Sequence, residues 1–98
     1  MEIIKNVNGA ELALALIGRL DTTTAPQLEE EIKNGLDGIT SLLLDFEKLD
    51  YISSAGLRVL LAAQKVMNKQ GTMVIKNANA DIKEVFEITG FSDILTIE

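Results

Sequence analysis

The sequence predicts a single small soluble α/β domain in which a small mixed, mostly parallel sheet of about five strands is flanked by helices. Two observations carry this prediction. The chain has 98 residues, of which 47% are hydrophobic, so one continuous core can form. Apolar runs typical of strands also alternate with longer stretches of helical periodicity, which is the pattern of strand–helix–strand units in a parallel sheet. We therefore interpret residues 1–98 as one domain.

The N-terminal residues predict an antiparallel β-hairpin. Residues 2–6 and residues 11–17 both have the character of strands. The pair Asn8-Gly9 lies between them and suits a two-residue turn that requires positive φ at both central positions. The two strands should therefore pair with each other in an antiparallel sense.

A first helix is predicted to begin at Thr24. The hydroxyl of Thr24 can cap the helix, Pro26 stands early in the first turn, and Gln27 follows the cap by three residues. Gly35 and Gly38 then bracket the end of the helix. Its buried stripe is expected to consist of three apolar residues at helical spacing: Leu28, Ile32 and Leu36.

The central part of the chain predicts a strand–helix–strand unit. Residues 41–46 include three successive leucines, which is typical of a strand covered on both faces. A second helix is expected over residues 54–68 and a strand over residues 72–76, with Gln70-Gly71 as the turn between them. Such a unit should cross over in the right-handed sense.

A third helix and a short strand are predicted to end the chain. Asn79 can cap the helix, and Gly90 can terminate it. Residues 94–97 then have the character of a short terminal strand. The helix has four residues that recur at helical spacing: Ile82, Val85, Phe86 and Thr89.

Composition excludes several classes of function. The chain has no cysteine and no histidine, so it lacks a thiolate nucleophile, the usual general base near neutral pH and the commonest ligand of transition metals. We accordingly expect no enzyme activity, no metal site and no cofactor. The net charge of −6 disfavours nucleic acid, and no apolar stretch is long enough to span a membrane. Since the first residues do not resemble a signal peptide, we expect a cytoplasmic protein that acts by binding another protein.

The start of the second helix carries the most informative residues. Ser53 is the expected N-cap, with Ile52 and Leu57 placed to form a hydrophobic staple. The hydroxyl of Ser54 should then lie in the first turn, beside unpaired N–H groups and the positive end of the helix dipole, where a phosphate would be stabilised. The alternative is structural, because two serines before an apolar run can simply be alternative caps.

Four neighbouring residues extend this candidate site along the helix. Gly56 is unfavourable in a helix, which suggests the close approach of a partner or, alternatively, a tight packing contact inside the domain. Leu61 shares a helix face with Ser54 and, flanked by Ala62 and Ala55, can form the apolar centre of a binding patch. Arg58 follows Ser54 by four residues, within reach of a phosphate, although an ordinary solvated arginine is an equal alternative.

These segments resemble the STAS-domain family, and within it the bacterial anti-sigma factor antagonists. The resemblance covers essentially the whole chain. It rests on four motifs: Gly18-Arg19-Leu20-Asp21 before the first helix, Leu43-Leu44-Asp45 ending the central strand, Ile52-Ser53-Ser54-Ala55-Gly56-Leu57 at the second helix, and Gly90-Phe91 near the end. The fold of that family is a small mixed sheet flanked by helices, in agreement with the elements predicted above.

The resemblance also implies a function and a set of site residues. In these antagonists the serine two positions before the glycine of the central motif is phosphorylated by a partner that is both anti-sigma factor and ATP-dependent serine kinase, and a serine phosphatase acts on the product. Ser54 falls on that position. The unphosphorylated chain is then expected to bind the anti-sigma factor, displace the sigma factor and permit transcription. The loop Asp21-Thr22-Thr23 matches a second partner-contact region of the family, although these residues are equally good turn formers.

Two positions depart from the pattern of well-known members. Ser53 stands where several of them carry aspartate, so Ser53 is expected to contact the partner and is a second candidate for accepting phosphate. Arg58 stands where they carry glycine, and we expect it to contact either the phosphate or the partner.

Two other interpretations remain open. A STAS subunit of a transporter, a lipid-trafficking system or a stress-sensing complex would keep the fold, with Ser54 unmodified. An enzyme or nucleotide-binding protein would use Ser54 as a nucleophile or phosphate cradle, but only Lys, Asp or Glu could then activate the hydroxyl. The chain has no glycine-rich phosphate-binding loop that would support this second interpretation.

Overall fold

A computed structural model of residues 1–98 shows one four-stranded sheet with three α-helices. Its elements follow in the order β1 (Glu2–Asn8), β2 (Glu11–Leu20), α1 (Ala25–Gly35), β3 (Ser41–Ile52), α2 (Ser54–Gln70), β4 (Thr72–Lys76) and α3 (Ala80–Thr89), with a 3₁₀ turn at Phe91–Asp93. The strand order is β1-β2-β3-β4. β1 pairs antiparallel with β2, whereas β2, β3 and β4 run parallel. The prediction of a mixed, mostly parallel sheet is confirmed.

The predicted fifth strand is reduced to a single β-bridge. Only Ile97 pairs with β4, opposite Ile75, whose N–H donates to the carbonyl of Thr96 at 2.9 Å. The N–H groups of Ile94 and Leu95 instead donate to the carbonyl of Phe91 in the preceding turn. Because these amides are already used, only the last residues of the chain can pair with the sheet.

The hairpin turn lies one residue later than the sequence predicted. Asn8 pairs with Glu11, so the two loop residues are Gly9 and Ala10 rather than Asn8 and Gly9. Gly9 has a φ of +62°, and neither of its neighbours has positive φ. Positive φ at the first central position alone is what a type II′ turn requires. Asn8 therefore extends β1 instead of entering the turn.

The hydrophobic core lies between the sheet and the helices. The apolar stripe predicted for α1 is buried, as are Gly56, Leu60, Ala63 and Met67 on the predicted core face of α2. Phe86 of α3 completes the core against Phe46 of β3, with the two ring centroids 6.5 Å apart. None of these helices is both long and apolar enough to cross a membrane.

β3 is covered on one face, not on both as the sequence predicted. Leu42 and Leu44 are buried at 1% and 0% exposure, whereas Leu43 between them is only partly buried. Its register partners Ala13 and Val74 on the neighbouring strands are also partly buried. The helices therefore pack on one face of the sheet, and the opposite face is open.

The caps of α3 are those that the sequence predicted. The side chain of Asn79 accepts a hydrogen bond from the N–H of Ile82 at 2.8 Å. Gly90 ends the helix with a φ of +81°, the left-handed conformation that glycine adopts without strain. These two residues fix the bounds of the helix, so its prediction is confirmed.

Candidate functional site

The sheet brings the two predicted partner-contact segments together at the carboxyl ends of β2 and β3. Leu20 and Ile52, the last residues of these strands, are register partners. The N–H of Ser53 donates to the carbonyl of Leu20 at 2.9 Å, which ties the start of α2 to the loop that follows β2. The loop at residues 21–23 and the helix start at residues 53–58 are therefore neighbours on one edge of the domain.

Ser54 is the first residue of α2 and is exposed. The backbone N–H groups of a first helical turn have no partner inside the helix, and here neither a capping side chain nor an acidic residue compensates them. The helix dipole therefore leaves a positive potential at the Ser54 hydroxyl. An anion attached to this residue would lie in a favourable position with free access to solvent.

Ser53 occupies the N-cap position without capping the helix. Its backbone is extended, with φ −102° and ψ 175°, but its side chain makes no capping hydrogen bond. The Oγ atom of Ser53 is buried and has no hydrogen-bond partner. The predicted position of the N-cap is therefore correct, but the predicted hydrogen bond from the helix to the Ser53 side chain is absent. The buried hydroxyl also disfavours Ser53 as a second phosphate acceptor and as a side-chain contact with the partner, since neither role is open to a group that another protein cannot reach.

Gly56 is buried, and contacts inside the domain account for its missing side chain. A Cβ atom at this position would lie 2.7 Å from Cγ of Leu20 and 2.9 Å from Cγ1 of Ile52. These two side chains end the central strands, and α2 can approach them closely only with glycine here. Tight packing inside the domain, one of the two explanations that the sequence left open, therefore accounts for this glycine. Because Gly56 is buried, it does not belong to the exposed surface.

Arg58 is exposed beside a shallow groove between the first turns of α1 and α2. Ala55 and Arg58 line this groove from one side, and Thr22, Pro26 and Glu29 line it from the other. Arg58 forms no ion pair with any carboxylate of the chain. Its charge is therefore available to a phosphate on the same helix or to a partner.

Leu61 lies farther along α2 and is partly buried, although the helical wheel predicted an exposed side chain. Ala55 is also partly buried and packs against the core. The apolar centre of the predicted patch is consequently smaller than the sequence suggested. Ala62, the other residue predicted to flank Leu61, is exposed, as are the polar residues Ser54 and Arg58.

The Asp21 loop is a closed hydrogen-bonded turn. Oδ1 of Asp21 accepts from the hydroxyl of Thr23 at 2.7 Å, from its N–H at 2.9 Å and from the N–H of Thr24 at 3.2 Å. In return, the hydroxyl of Thr24 accepts from the N–H of Asp21 at 2.8 Å and donates to the carbonyl of Arg19 at 2.7 Å. These reciprocal hydrogen bonds form a capping box in which Asp21 takes the cap position, three residues before the predicted cap Thr24. The Thr24 hydroxyl is thereby engaged and does not cap α1, so that prediction is wrong.

The same bonds favour the ionised form of Asp21. The hydrogen bond from the Thr23 hydroxyl contributes most to lowering the pKa of this carboxyl group, and the N–H groups of Thr23 and Thr24 lower it further. Partial desolvation of the carboxyl group acts in the opposite direction but does not outweigh these hydrogen bonds. Thr22 and Thr23 themselves are exposed. The loop thus presents two threonine side chains on a rigid turn whose aspartate stays charged.

Two residues without a predicted role stand beside this loop. Arg19 and Tyr51 are register partners on β2 and β3. The guanidinium carbon of Arg19 lies 4.3 Å from the centroid of the Tyr51 ring, and its Nε lies 3.8 Å from Oδ2 of Asp21. The signal that would have found this pair is the strand register, because placing Leu20 opposite Ile52 also places Arg19 opposite Tyr51.

Comparisons with known proteins agree with this architecture. The family model of the STAS domain matches residues 1–98. The chain is 42% identical over 88 residues to BtrV of Bordetella bronchiseptica, which is named as an anti-sigma factor antagonist, and the match covers 88% of this chain and 76% of that protein. It is 32% identical over 98 residues to the anti-sigma-B factor antagonist of Listeria monocytogenes, with 97% and 85% covered.

The fold also matches a solved structure, that of the anti-sigma factor antagonist SpoIIAA in its unphosphorylated form. The TM-score is 0.79 at 19% sequence identity, and the match covers 99% of this chain and 87% of that one. At such an identity the likeness concerns the fold alone. The four-stranded sheet with its helices is therefore an arrangement already seen in a solved structure.

Proposed function

The chain belongs to the STAS-domain family, and we propose that it is an anti-sigma factor antagonist that binds an anti-sigma factor with serine kinase activity and is switched off by phosphorylation at Ser54. The observation that carries the proposal is the exposed Ser54 hydroxyl on the uncapped first turn of α2, next to the Asp21 loop. Relatives that are named as such antagonists and match nearly the whole chain support the role. The protein acts in the cytoplasm, and a serine phosphatase restores the active form.

The unphosphorylated domain binds its partner through what we call the docking edge. This edge contains Asp21, Thr22, Thr23, Ser54, Ala55, Arg58 and Leu61. An anti-sigma factor that occupies it releases its sigma factor, and transcription follows. The chain performs no chemistry of its own in this role, since it needs only a surface that the partner recognises.

Phosphate transfer places the reacting groups on two proteins. The Oγ of Ser54 attacks the γ-phosphorus of ATP held by the kinase, the bond between this phosphorus and the bridging oxygen of ADP breaks, and ADP leaves. In this proposal the hydroxyl proton passes to a base of the kinase, since this chain has no histidine, the usual general base near neutral pH. Exposure of Ser54 is therefore the property that this chain must supply.

The effect of the phosphate has to arise at the interface rather than in the fold. A phosphate adds a charge of about −1.5 to −2, and a helix N-terminus stabilises an anion by about 0.3 to 2 kcal/mol, so the domain tolerates the modification. Moving an equilibrium from almost all bound to almost all free requires about 5.5 kcal/mol. Burying an unpaired dianion against the partner is expected to cost several kcal/mol, which supplies a difference of this size.

The test is incubation of the chain with each candidate anti-sigma factor kinase of the same organism and ATP, followed by mass spectrometry and a binding assay. The wild-type chain should gain one phosphate at Ser54 and dissociate. The Ser54→Ala variant should gain none and stay bound in the presence of ATP, while Ser54→Asp should bind weakly because aspartate mimics the phosphate only in part. Ser53→Ala is the matched control and should still be phosphorylated. Phosphate located elsewhere, with Ser54→Ala still inactivated, would refute the proposal.

A further inference from the structure

Arg19 and Tyr51 form an exposed pair in which most hydrogen-bond donors of the arginine are unused. Tyr51 is stacked beneath the guanidinium group, and Asp21 approaches only its Nε atom, at 3.8 Å. The guanidinium makes no hydrogen bond within the chain, although the Arg19 side chain is 60% exposed and Tyr51 is 41% exposed. The unpaired N–H donors of the Arg19 guanidinium group are therefore free to bind a group of another molecule.

The pair lies where the open face of the sheet meets the docking edge. Leu20 and Ile52, the next residues on each strand, are buried at 0% and 4% on the helix side. Because side chains alternate along a strand, Arg19 and Tyr51 point to the opposite face, which no helix covers. Along the chain, Arg19 nevertheless stands two residues from Asp21 and Tyr51 stands three residues from Ser54, so a partner on the docking edge can reach both.

The chemistry of this pair fits a carboxylate. An arginine presents two parallel N–H donors that match the two oxygens of a carboxylate, and such bidentate contacts are stronger than neutral hydrogen bonds. Stacking on Tyr51 and attraction to Asp21 restrict the side chain before binding, which lowers the entropy lost on association. Asp21 carries a negative charge beside Arg19, so it repels a phosphate dianion more strongly than a singly charged carboxylate.

We propose that Arg19, held in place by Tyr51, is the anchor that binds a carboxylate side chain of the anti-sigma factor. This inference rests on the proposed function, and it adds a specific contact on the open face of the sheet. The domain carries a net charge of −6, so an acidic partner group is repelled over most of its surface and accepted at few places. Arg19 thereby fixes where and how the partner docks.

The test is calorimetric titration of the unphosphorylated chain with the anti-sigma factor kinase that phosphorylates it, purified and free of nucleotide. Arg19→Ala and Arg19→Gln should each weaken binding by about 30-fold, the loss typical of an arginine hot spot. Tyr51→Phe keeps the ring and should bind like the wild type, whereas Tyr51→Ala should lose about 2- to 5-fold, the range expected for an exposed cation–π contact. Lys83→Ala is the matched control, because it removes one exposed, unpaired positive charge from α3 and should have no effect.

Two further measurements separate an anchor from a purely structural role. The backbone amide signals of Thr23 and Thr24 should be unchanged in Arg19→Gln, which would show that the Asp21 turn is intact. Binding of the wild type should also weaken more steeply with added salt than binding of Arg19→Ala.

The outcomes distinguish this inference from the proposed function. If both Arg19 variants bind within 2-fold of the wild type while Ser54→Asp binds weakly, the anchor is overturned and the proposed function stands. If Lys83→Ala loses as much affinity as Arg19→Ala, the effect is one of overall charge, and the anchor is again overturned. If the wild-type chain does not bind the kinase at all, the proposed function fails and the anchor fails with it.

Discussion

Replacing Gly56 with alanine should destabilise the domain, although alanine is the better helix former. The substitution gains about 1 kcal/mol of helix propensity. The new methyl group, however, would lie below 3.0 Å from carbon atoms of both Leu20 and Ile52. Both side chains are buried, and the atoms that the methyl group meets, Cγ of Leu20 and Cγ1 of Ile52, lie close to the backbone, so they cannot give way as the far end of a flexible side chain can. Overpacking of this kind costs about 1 to 3 kcal/mol, and with two short contacts we expect a net loss of about 1 to 2 kcal/mol.

Gly35→Ala is the matched control, since it adds the same atom to another helical glycine. A Cβ there would lie 3.6 Å from Cδ2 of Leu12 and from Nζ of Lys5, which is ordinary van der Waals contact. This variant should gain up to about 1 kcal/mol, because alanine loses less backbone entropy than glycine. The two alanine variants are thus expected to move stability in opposite directions from the same chemical change.

The assay is urea unfolding followed by far-UV circular dichroism, with the slopes of the transitions compared to confirm that the same surface is exposed. In a domain of this size a difference of about 1 kcal/mol also shifts the melting temperature by about 4 to 8 °C. A Gly56→Ala variant as stable as Gly35→Ala would refute the packing argument. Close approach of a partner would then again be needed to explain the glycine.

Three further substitutions test other parts of the structure. Gly71→Ala should cost about 3 kcal/mol or more in urea unfolding, because its Cβ would overlap the carbonyl oxygen of Thr40, which belongs to the backbone and cannot move aside. Asn79→Ala should lose about 1 kcal/mol in the same assay, through the missing cap of α3. Asp21→Asn should be less stable than the wild type near neutral pH, and the difference in thermal midpoint should shrink in acid. The sign follows from the lowered pKa of Asp21, which adds stability above the unfolded value of about 3.9 that is lost as pH falls through the lower folded value. An Asp21 difference that is constant from neutral to acid pH would contradict this assignment.

Local signals predicted the elements well, because caps and periodicity act over a few residues. Asn79, Gly90 and the apolar stripes of the helices lie where the pattern placed them. The hairpin turn slipped by one residue because a positive φ at Gly9 suits either central position of a two-residue turn. The second face of β3 was misjudged because a run of leucines has no alternation that would distinguish one buried face from two.

The candidate site was predictable where it depends on one helix and unpredictable where it depends on strand register. A helical wheel places Ser54 outside and Gly56 inside correctly, and within α2 it fails only at Leu61, which is partly buried. The contact of Arg19 with Tyr51 requires the pairing of β2 with β3, and this register shifts twice along the strands. Such irregularities arise from packing across the whole sheet, so no short stretch of sequence reveals them.

The hydrogen bond from the N–H of Ser53 to the carbonyl of Leu20 restricts how any enzyme can approach Ser54. Many protein-modifying enzymes draw a flexible segment into a cleft and recognise its local sequence. Here the residues on both sides of the serine are fixed, with Ile52 buried before it and Leu57 buried after it. An enzyme acting on this hydroxyl must therefore recognise a folded shape, and a short synthetic peptide with the same residues would be a poor substrate.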